Sequence, residues 1–375
     1  MRSAAAALIR PARGARLRAA IAGQPRRMRV VVTGATGNVG TSVVRALIAD
    51  PRVEQVVGVA RRAPRWQPPL TRWVSADVVT SALEPLFDGA DAVIHLAWLI
   101  QPSHDARALH AVNVDGSRRV FEAAVRAGVK LLVHASSVGA YSPGPNDRRV
   151  DESWPTGGIP TSFYSRHKAE AERLLDELED EIRIVRLRPG LIFKREAAAE
   201  IRRLFIGPLL PSPLVHPRML PLLPLPPGLV LQAVHADDAG EAYRLAVTSP
   251  DARGAYNIAA EPVLDARELG RLLGARPVTV PTRAVRALAK LTWRARLQPT
   301  PPGWLDMGLG VPLLDTTRAR EELGWQPRHS ASDALLELLD GLRRSAGLDT
   351  PPLAPRAGGR FRLGELPVGS ARSAP

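Results

Sequence analysis

The chain has 375 residues, 45% hydrophobic and 23% charged, with no cysteine. That composition suits a globular chain long enough for one large α/β domain with an added lobe, or for two or three domains; it excludes disulfides, thiolate metal sites and a catalytic thiol. The net charge of +14 is terminal: seven arginines and no acid precede Met28, and residues 341–375 carry six arginines against Asp349 and Glu365, which together account for 11 of the 14. A nearly neutral body gives no electrostatic reason for a nucleic-acid partner.

In chain order, the acid-free first 27 residues have the composition of a transit peptide. Met28 stands directly before an apolar run, however, so a disordered or start-site extension and a cytoplasmic protein are the preferred expectation. From Met28 to Pro189, short β-branched runs alternate with longer amphipathic ones, the signature of βαβ units around a parallel sheet. Strands are expected near 28–33, 55–60, 72–75, 92–96, 131–136 and 183–187, and helices over 39–49, 106–127 and 163–178. Beyond Pro189 the alternation breaks up. Between Gly207 and Gly228 eight of the residues are proline, which rules out a continuous membrane-spanning helix there, and no membrane partner is expected. A turn and an amphipathic helix follow between Asp315 and Leu342. The expected organisation is therefore a basic extension (1–27), a dinucleotide-binding domain (28–190), a substrate lobe interleaved with it (191–342) and a disordered tail (343–375). This is an α/β fold of Rossmann type, a doubly wound parallel sheet with a smaller C-terminal substrate lobe.

The turn Thr33-Gly34-Ala35-Thr36-Gly37-Asn38-Val39-Gly40 lies between a predicted strand and a predicted helix. Glycines there allow a tight turn and let backbone N–H groups at the helix start meet a pyrophosphate. NAD sites of this type place an acid about 20 residues on, at the end of the second strand, for the ribose hydroxyls. Here Ala60 is followed by Arg61 and Arg62, and guanidinium groups suit a 2′-phosphate, so NADP(H) is expected over NAD(H). Asp77, after the third strand, is a candidate partner for the adenine amino group.

Tyr164 and Lys168 stand four apart in a helical stretch and so share a face. A phenol with its usual pKa near 10 is a poor base at neutral pH; a neighbouring ammonium lowers that value and fits the pair for proton transfer during hydride exchange. His95, His134 and His235 fall in or beside strands and read as packing or capping residues, and no His/Asp/Glu spacing suggests a metal.

Together with His95-Leu96-Ala97, Asn113-Val114-Asp115-Gly116 and Ser136-Ser137 leading to Tyr141, these motifs resemble, in order, the extended short-chain dehydrogenases/reductases, also called the NAD-dependent epimerase/dehydratase family. The resemblance runs from about Met28 to Leu342. It implies an oxidoreductase moving hydride between a nicotinamide and a small carbonyl or alcohol substrate. In it Ser137 would bind the substrate oxygen, Tyr164 would be the acid/base, and Lys168 would hold the ribose and depress the Tyr164 pKa. It also implies cofactor contacts from Gly34, Thr36, Gly37, Asn38, Val39, Gly40, Val78, Leu96, Ala97, Asn113 and Pro189, and leaves a homodimer open. Dehydratases of the family carry an Asp-Glu pair after the active-site hydroxyl residue; Val138 and Gly139 stand there instead, and catalytic-cysteine epimerases are excluded. A nucleotide-sugar 4-epimerase with retained NAD is the alternative, and a non-catalytic nicotinamide sensor ranks below both. The Leu- and Pro-rich run over 204–231 would give the site an apolar wall if it faces it, and packing of the lobe or a dimer contact are equal alternatives for it.

Overall fold

The computed structural model describes residues 27–100, 105–202, 221–297 and 300–355. Most of the expected N-terminal extension, the end of the expected tail and most of the 204–231 wall lie outside these residues. Fourteen strands are described: β1 Met28–Thr33, β2 Val53–Ala60, β3 Thr71–Ser75, β4 Ala92–His95, β5 Leu131–Ala135, β6 Arg149–Val150, β7 Arg183–Pro189, β8 Leu191–Phe193, β9 Leu222–Leu225, β10 Leu231–His235, β11 Gly254–Ile258, β12 Ala260–Leu264, β13 Arg276–Thr279 and β14 Leu313–Leu314. The longer helices are α1 Asn38–Ile48, α2 Gly116–Arg126, α3 Phe163–Asp176, α4 Ala236–Thr248, α5 Ala266–Leu273, α6 Thr282–Arg294, α7 Gly303–Gly310, α8 Thr317–Leu323 and α9 Ala331–Arg344.

Seven strands form one parallel sheet in the order β11-β7-β5-β4-β1-β2-β3. A strand buried on both faces needs apolar side chains in both directions. Val30 and Val32 accordingly pack into the cluster under α1 and α4, while Val31, Val57 and Val93 pack into the opposite cluster against Val120, Phe121 and Leu175. The strand order reverses between β1 and β4, the switch point where an open α/β sheet receives ligands. Although β11 comes late in the sequence, it pairs with β7, so the second half of the chain contributes to the same sheet.

The helix expected over 106–127 is interrupted. A π-helical turn at Ala111–Asp115 separates Ala106–His110 from α2, and the turn aims Asn113 inward. Its Nδ2 donates to the Leu99 carbonyl (3.1 Å) and its Oδ1 accepts from the Leu99 N–H (2.7 Å), which pins the loop after β4. Periodicity alone does not register one inserted residue within an otherwise helical stretch.

Four buried imidazoles sit in or beside this framework. Burial lowers the His95 pKa to about 3, that of His167 to about 4, and that of His134 well below the ordinary range. His95 is bonded to Thr33 and Ser117, whereas neither ring nitrogen of His134 has a partner among the described residues. His235 caps α4 and faces Glu337. Unfolded imidazoles take up protons near pH 6.5 and the buried ones resist, so stability present above that pH is lost as pH falls through 6.5 towards 3, by up to ~1.4 kcal/mol per pH unit for each group. His134→Leu removes one such group without breaking a hydrogen bond. Urea unfolding at pH 7 and pH 5 should show a shallower loss of stability in this variant than in the parent; an unchanged slope contradicts the assignment.

Candidate active site

The glycine turn leaves the C-terminal end of β1, where Gly34 has φ +72°, a left-handed conformation that favours glycine. A Cβ on Gly34 would lie 2.6 Å from the Ala97 backbone nitrogen, and one on Gly40 would lie 2.3 Å from the Gly34 carbonyl oxygen. These two glycines let the turn, the start of α1 and the loop after β4 close on one another. Gly37 differs: it caps α1 with no side-chain cap bond, and a Cβ there would meet only the Gly34 oxygen at an ordinary 3.6 Å. The space in front of Gly37 is therefore not filled by protein. With α1's first N–H groups uncapped beside it, the cradle fits a pyrophosphate.

The other side chains expected at this edge are placed around the turn. Leu96 and Ala97 lie directly against it, and the Leu96 N–H donates to the Thr33 carbonyl (3.0 Å). Asn38 donates from Nδ2 to the Ile192 carbonyl (3.0 Å), with its Oδ1 buried and unpartnered among the described residues. Thr36 is buried, Val39 is packed against the core under α1, Val78 lies under Gly116, and Pro189 is buried at the end of β7. Asp77 accepts from the Val79 N–H through Oδ1 (2.8 Å) and so shapes its own turn.

One contributor was not foreseen from the sequence. Lys194, after β8, is fully buried and donates from Nζ to the Asn38 carbonyl (2.7 Å), Thr41 Oγ1 (2.6 Å) and Ser42 Oγ (3.2 Å), and burial pulls its pKa down to about 8. It ties the start of α1 to the second half of the chain. A lone lysine after an apolar triplet carries no such signal in sequence.

Ser137, Tyr164 and Lys168 are brought together. Ser137 ends the β5 loop, its Oγ accepting from the Gly139 N–H (3.0 Å) and hydrogen-bonded to Tyr164. Tyr164 and Lys168 lie on the buried face of α3, whose start is fixed by the Ser162 cap and by Ser165, which accepts from the Ile159 N–H (2.6 Å) and donates to the Gly139 carbonyl. Burial pushes the Tyr164 phenol up to about 12, opposed by the Ser137 hydrogen bond. This differs from the expectation that Lys168 depresses it. The Lys168 ammonium lies 5.8 Å from the Tyr164 ring centroid, donates to the Ala135 carbonyl (2.6 Å) and sits 3.3 Å from the centroid of the Trp98 ring. Its charge is spent on a carbonyl and an indole, and its own pKa is driven well down by burial, against the pull of Glu172.

The wall beside Tyr164 is apolar and aromatic. The Trp304 ring on α7 lies 5.0 Å from the phenol ring and that of Trp98 6.2 Å, with Ile159 and Met307 in the same cluster. Most of the run over 204–231 expected here lies outside the described residues; the described wall comes from the loop after β4, the segment before α3, and α7.

Arg61 and Arg62 are both exposed on the bend after β2, and neither is held by a partner among the described residues. No groups converge there to fix a fork of guanidinium donors for a 2′-phosphate.

These features lie together at the switch point of a doubly wound α/β sheet. Residues 30–259, well over half of the chain, match the NAD dependent epimerase/dehydratase family, and the chain belongs to that family of enzymes. Among curated relatives, the uncharacterized protein Rv2047c of Mycobacterium tuberculosis is 26% identical over 86% of this chain, which spans only 31% of that protein's length. The uncharacterized protein Rv0501 of the same organism is 27% identical, over 87% of this chain and 86% of its own length. Among solved structures, MoeE5 in complex with UDP-glucuronic acid and NAD superposes with a TM-score of 0.62 at 21% identity, over 84% of this chain and 99% of its own. The UDP-glucose 4-epimerase of Thermus thermophilus in complex with NAD gives 0.62 at 22% identity over the same shares. Likeness at this level of identity establishes the fold.

The expectation of NADP(H) is corrected by these findings, because the family is NAD dependent and the similar structures hold NAD. The inference from Arg61 and Arg62 failed because two basic residues after β2 need not converge on a ligand, and here they are solvated.

Two outcomes follow from the geometry. Gly37→Ala should leave the melting temperature of the cofactor-free protein unchanged and abolish most of the thermal shift produced by NAD, whereas Gly40→Ala should destabilise the protein itself; differential scanning fluorimetry separates them, and equal behaviour of the two contradicts the cradle. Lys168→Met removes a buried charge that has no carboxylate bonded to it, and should raise Tm by roughly 2–4 °C while weakening NAD binding by titration calorimetry; a lower Tm would show that the ammonium stabilises the fold.

Proposed function

We propose that the chain is an NAD-dependent nucleotide-sugar 4-epimerase, which oxidises a ring carbinol and reduces the resulting ketone from the opposite face. The observation that carries this reading is the buried Ser137–Tyr164–Lys168 group, reached from the glycine turn, with no carboxylate added for elimination. A Cβ on Gly139 would already lie 3.1 Å from both Met307 and the Tyr164 ring, so an acidic side chain at 139, as the dehydratases require, would have to displace the aromatic wall. Similarity to UDP-sugar 4-epimerases supports the same reading.

NAD, which the glycine turn and Lys168 would hold, would supply the hydride acceptor and donor. The protein's own residues handle the proton. Ser137 orients the substrate hydroxyl, and Tyr164 takes its proton as the carbinol C–H bond gives up hydride, then returns that proton as hydride comes back to the carbonyl carbon. Because Tyr164 rests at a raised pKa, a neighbouring cation must lower it in the working complex; Lys168 is four residues away on the same face and is the chain's own group for this. The apolar wall keeps water from the transient ketone.

A second reading is favoured by that same wall. Trp98, Ile159, Trp304 and Met307 around Tyr164 also suit an apolar secondary alcohol oxidised in one direction with free NAD.

The deciding experiment measures NAD released from the purified protein by denaturation, then interconversion of UDP-glucose with UDP-galactose, and of UDP-glucuronate with its 4-epimer, without added cofactor. Epimerisation with no net absorbance change at the reduced-nicotinamide band supports the proposal. Net NADH formation from an apolar alcohol, with no sugar turnover, favours the second reading. Tyr164→Phe should lower the rate by about 10²–10⁴-fold and leave NAD binding intact; unchanged turnover would falsify the assigned mechanism.

A further inference from the structure

Helix α6 is the one long helix among those described with no fully buried residue. At 100° per residue its side chains sort into three stripes. Val285, Ala289, Thr292 and Trp293 are half-buried and face the body. Ala284, Leu288 and Leu291 fall within about 60° of arc on the outside, where Leu288 is 62% and Leu291 66% exposed, with Leu297 exposed just beyond the helix. Arg283, Arg286, Lys290 and Arg294 fall within about 80° on the remaining side. No acidic residue occurs between 282 and 297. Arg286 is paired with Asp306 of α7 through two bonds of 2.8 and 3.0 Å, and the other three basic groups have no carboxylate partner among the described residues.

We infer that α6 docks the protein onto an anionic lipid bilayer, with Leu288 and Leu291 entering the boundary between headgroups and acyl chains and Arg283, Lys290 and Arg294 meeting the acidic headgroups. An apolar stripe beside a basic one, both exposed, is the pattern of a helix lying flat in the interface. Such a helix needs no spanning segment, and none of the described helices is long and apolar enough to cross a membrane. A second copy of the chain fits the surface less well, because an isologous contact would bring two acid-free basic stripes together. A nucleic acid would leave the leucines in water. The Arg286–Asp306 pair links α6 to α7, whose Trp304 ring lies 5.0 Å from that of Tyr164. This inference does not rest on the reaction proposed above.

The test is flotation of the full chain with vesicles of phosphatidylglycerol and phosphatidylcholine, against phosphatidylcholine alone. Binding is expected only to the anionic vesicles and should weaken in raised salt. Leu288→Glu/Leu291→Glu should abolish it, and each basic residue removed, as in Lys290→Gln and Arg294→Gln, should cost about fivefold in partitioning. Because all these side chains are exposed, Tm should stay at the parent value. Three results would overturn the inference: no vesicle binding by the parent, helix variants that bind like the parent because the arginine-rich start carries the affinity, or a dimer in sedimentation that Leu288→Glu/Leu291→Glu dissociates.

Discussion

Helix α3, which carries Tyr164 and Lys168, is tied to the sheet by a buried ion pair. Arg188 at the end of β7 meets Glu172 of α3 through two bonds, Nε to Oε1 (2.8 Å) and Nη2 to Oε2 (2.5 Å), with both side chains almost completely out of solvent. Both ions make further hydrogen bonds: Ser136 donates to Glu172, and Arg188 reaches the Tyr141 hydroxyl (3.0 Å) and the Glu152 carbonyl (2.9 Å), with Tyr141 donating on to Asn257 (2.7 Å). A buried pair of this kind adds little over an apolar pair of similar shape, yet losing one partner costs about 3–5 kcal/mol. Its contribution is positional. Tyr164, Lys168 and Glu172 follow one another at four-residue intervals along one face of α3, so fixing Glu172 against β7 and β5 fixes the rotation of the helix and with it the phenol and the ammonium. The same network joins β11, through Asn257, to the loop before α3.

The opposite side of the site is set by backbone proximity. Gly34 and Gly40 have no room for a Cβ, and Lys194 binds the first turn of α1 from beneath. The cofactor cradle is thus rigid on the protein side and open only in front of Gly37. A buried lysine without a bonded carboxylate would be an expensive means of holding a helix start if stability were the only demand. Three oxygen acceptors within 3.2 Å offset much of that cost.

The parallel strands, the glycine turn and the Tyr164–Lys168 pair were legible in sequence because each rests on a local rule: β-branched runs, a turn with glycine spacing, and two residues one helical turn apart; Ser137 was legible only through the resemblance. What was not legible depends on convergence between distant segments. The π-helical turn at Asn113 exists because its side chain meets Leu99 across the fold, and helical periodicity is blind to that. Lys194, Trp98 and Trp304 join the site from three separate segments with no motif. The reading of Arg61 and Arg62 erred in the same way, by treating two adjacent charges as a pocket when a phosphate site needs donors that converge.

The surroundings of Tyr164 place a further constraint on the chemistry. A phenol at about 12 in a wall of two indoles, an isoleucine and a methionine is a poor acid or base until a cation approaches, so by itself it is chemically quiet. Lys168 alone does not activate it, since its ammonium is engaged by Ala135 and Trp98. Under the proposed function, Lys168 would hold the cofactor ribose, and a rearrangement of its ammonium from Ala135 and Trp98 would let its charge act on Tyr164 one helical turn away. Such coupling would make the base available only beside a bound hydride acceptor, and so would keep proton transfer from running without hydride transfer.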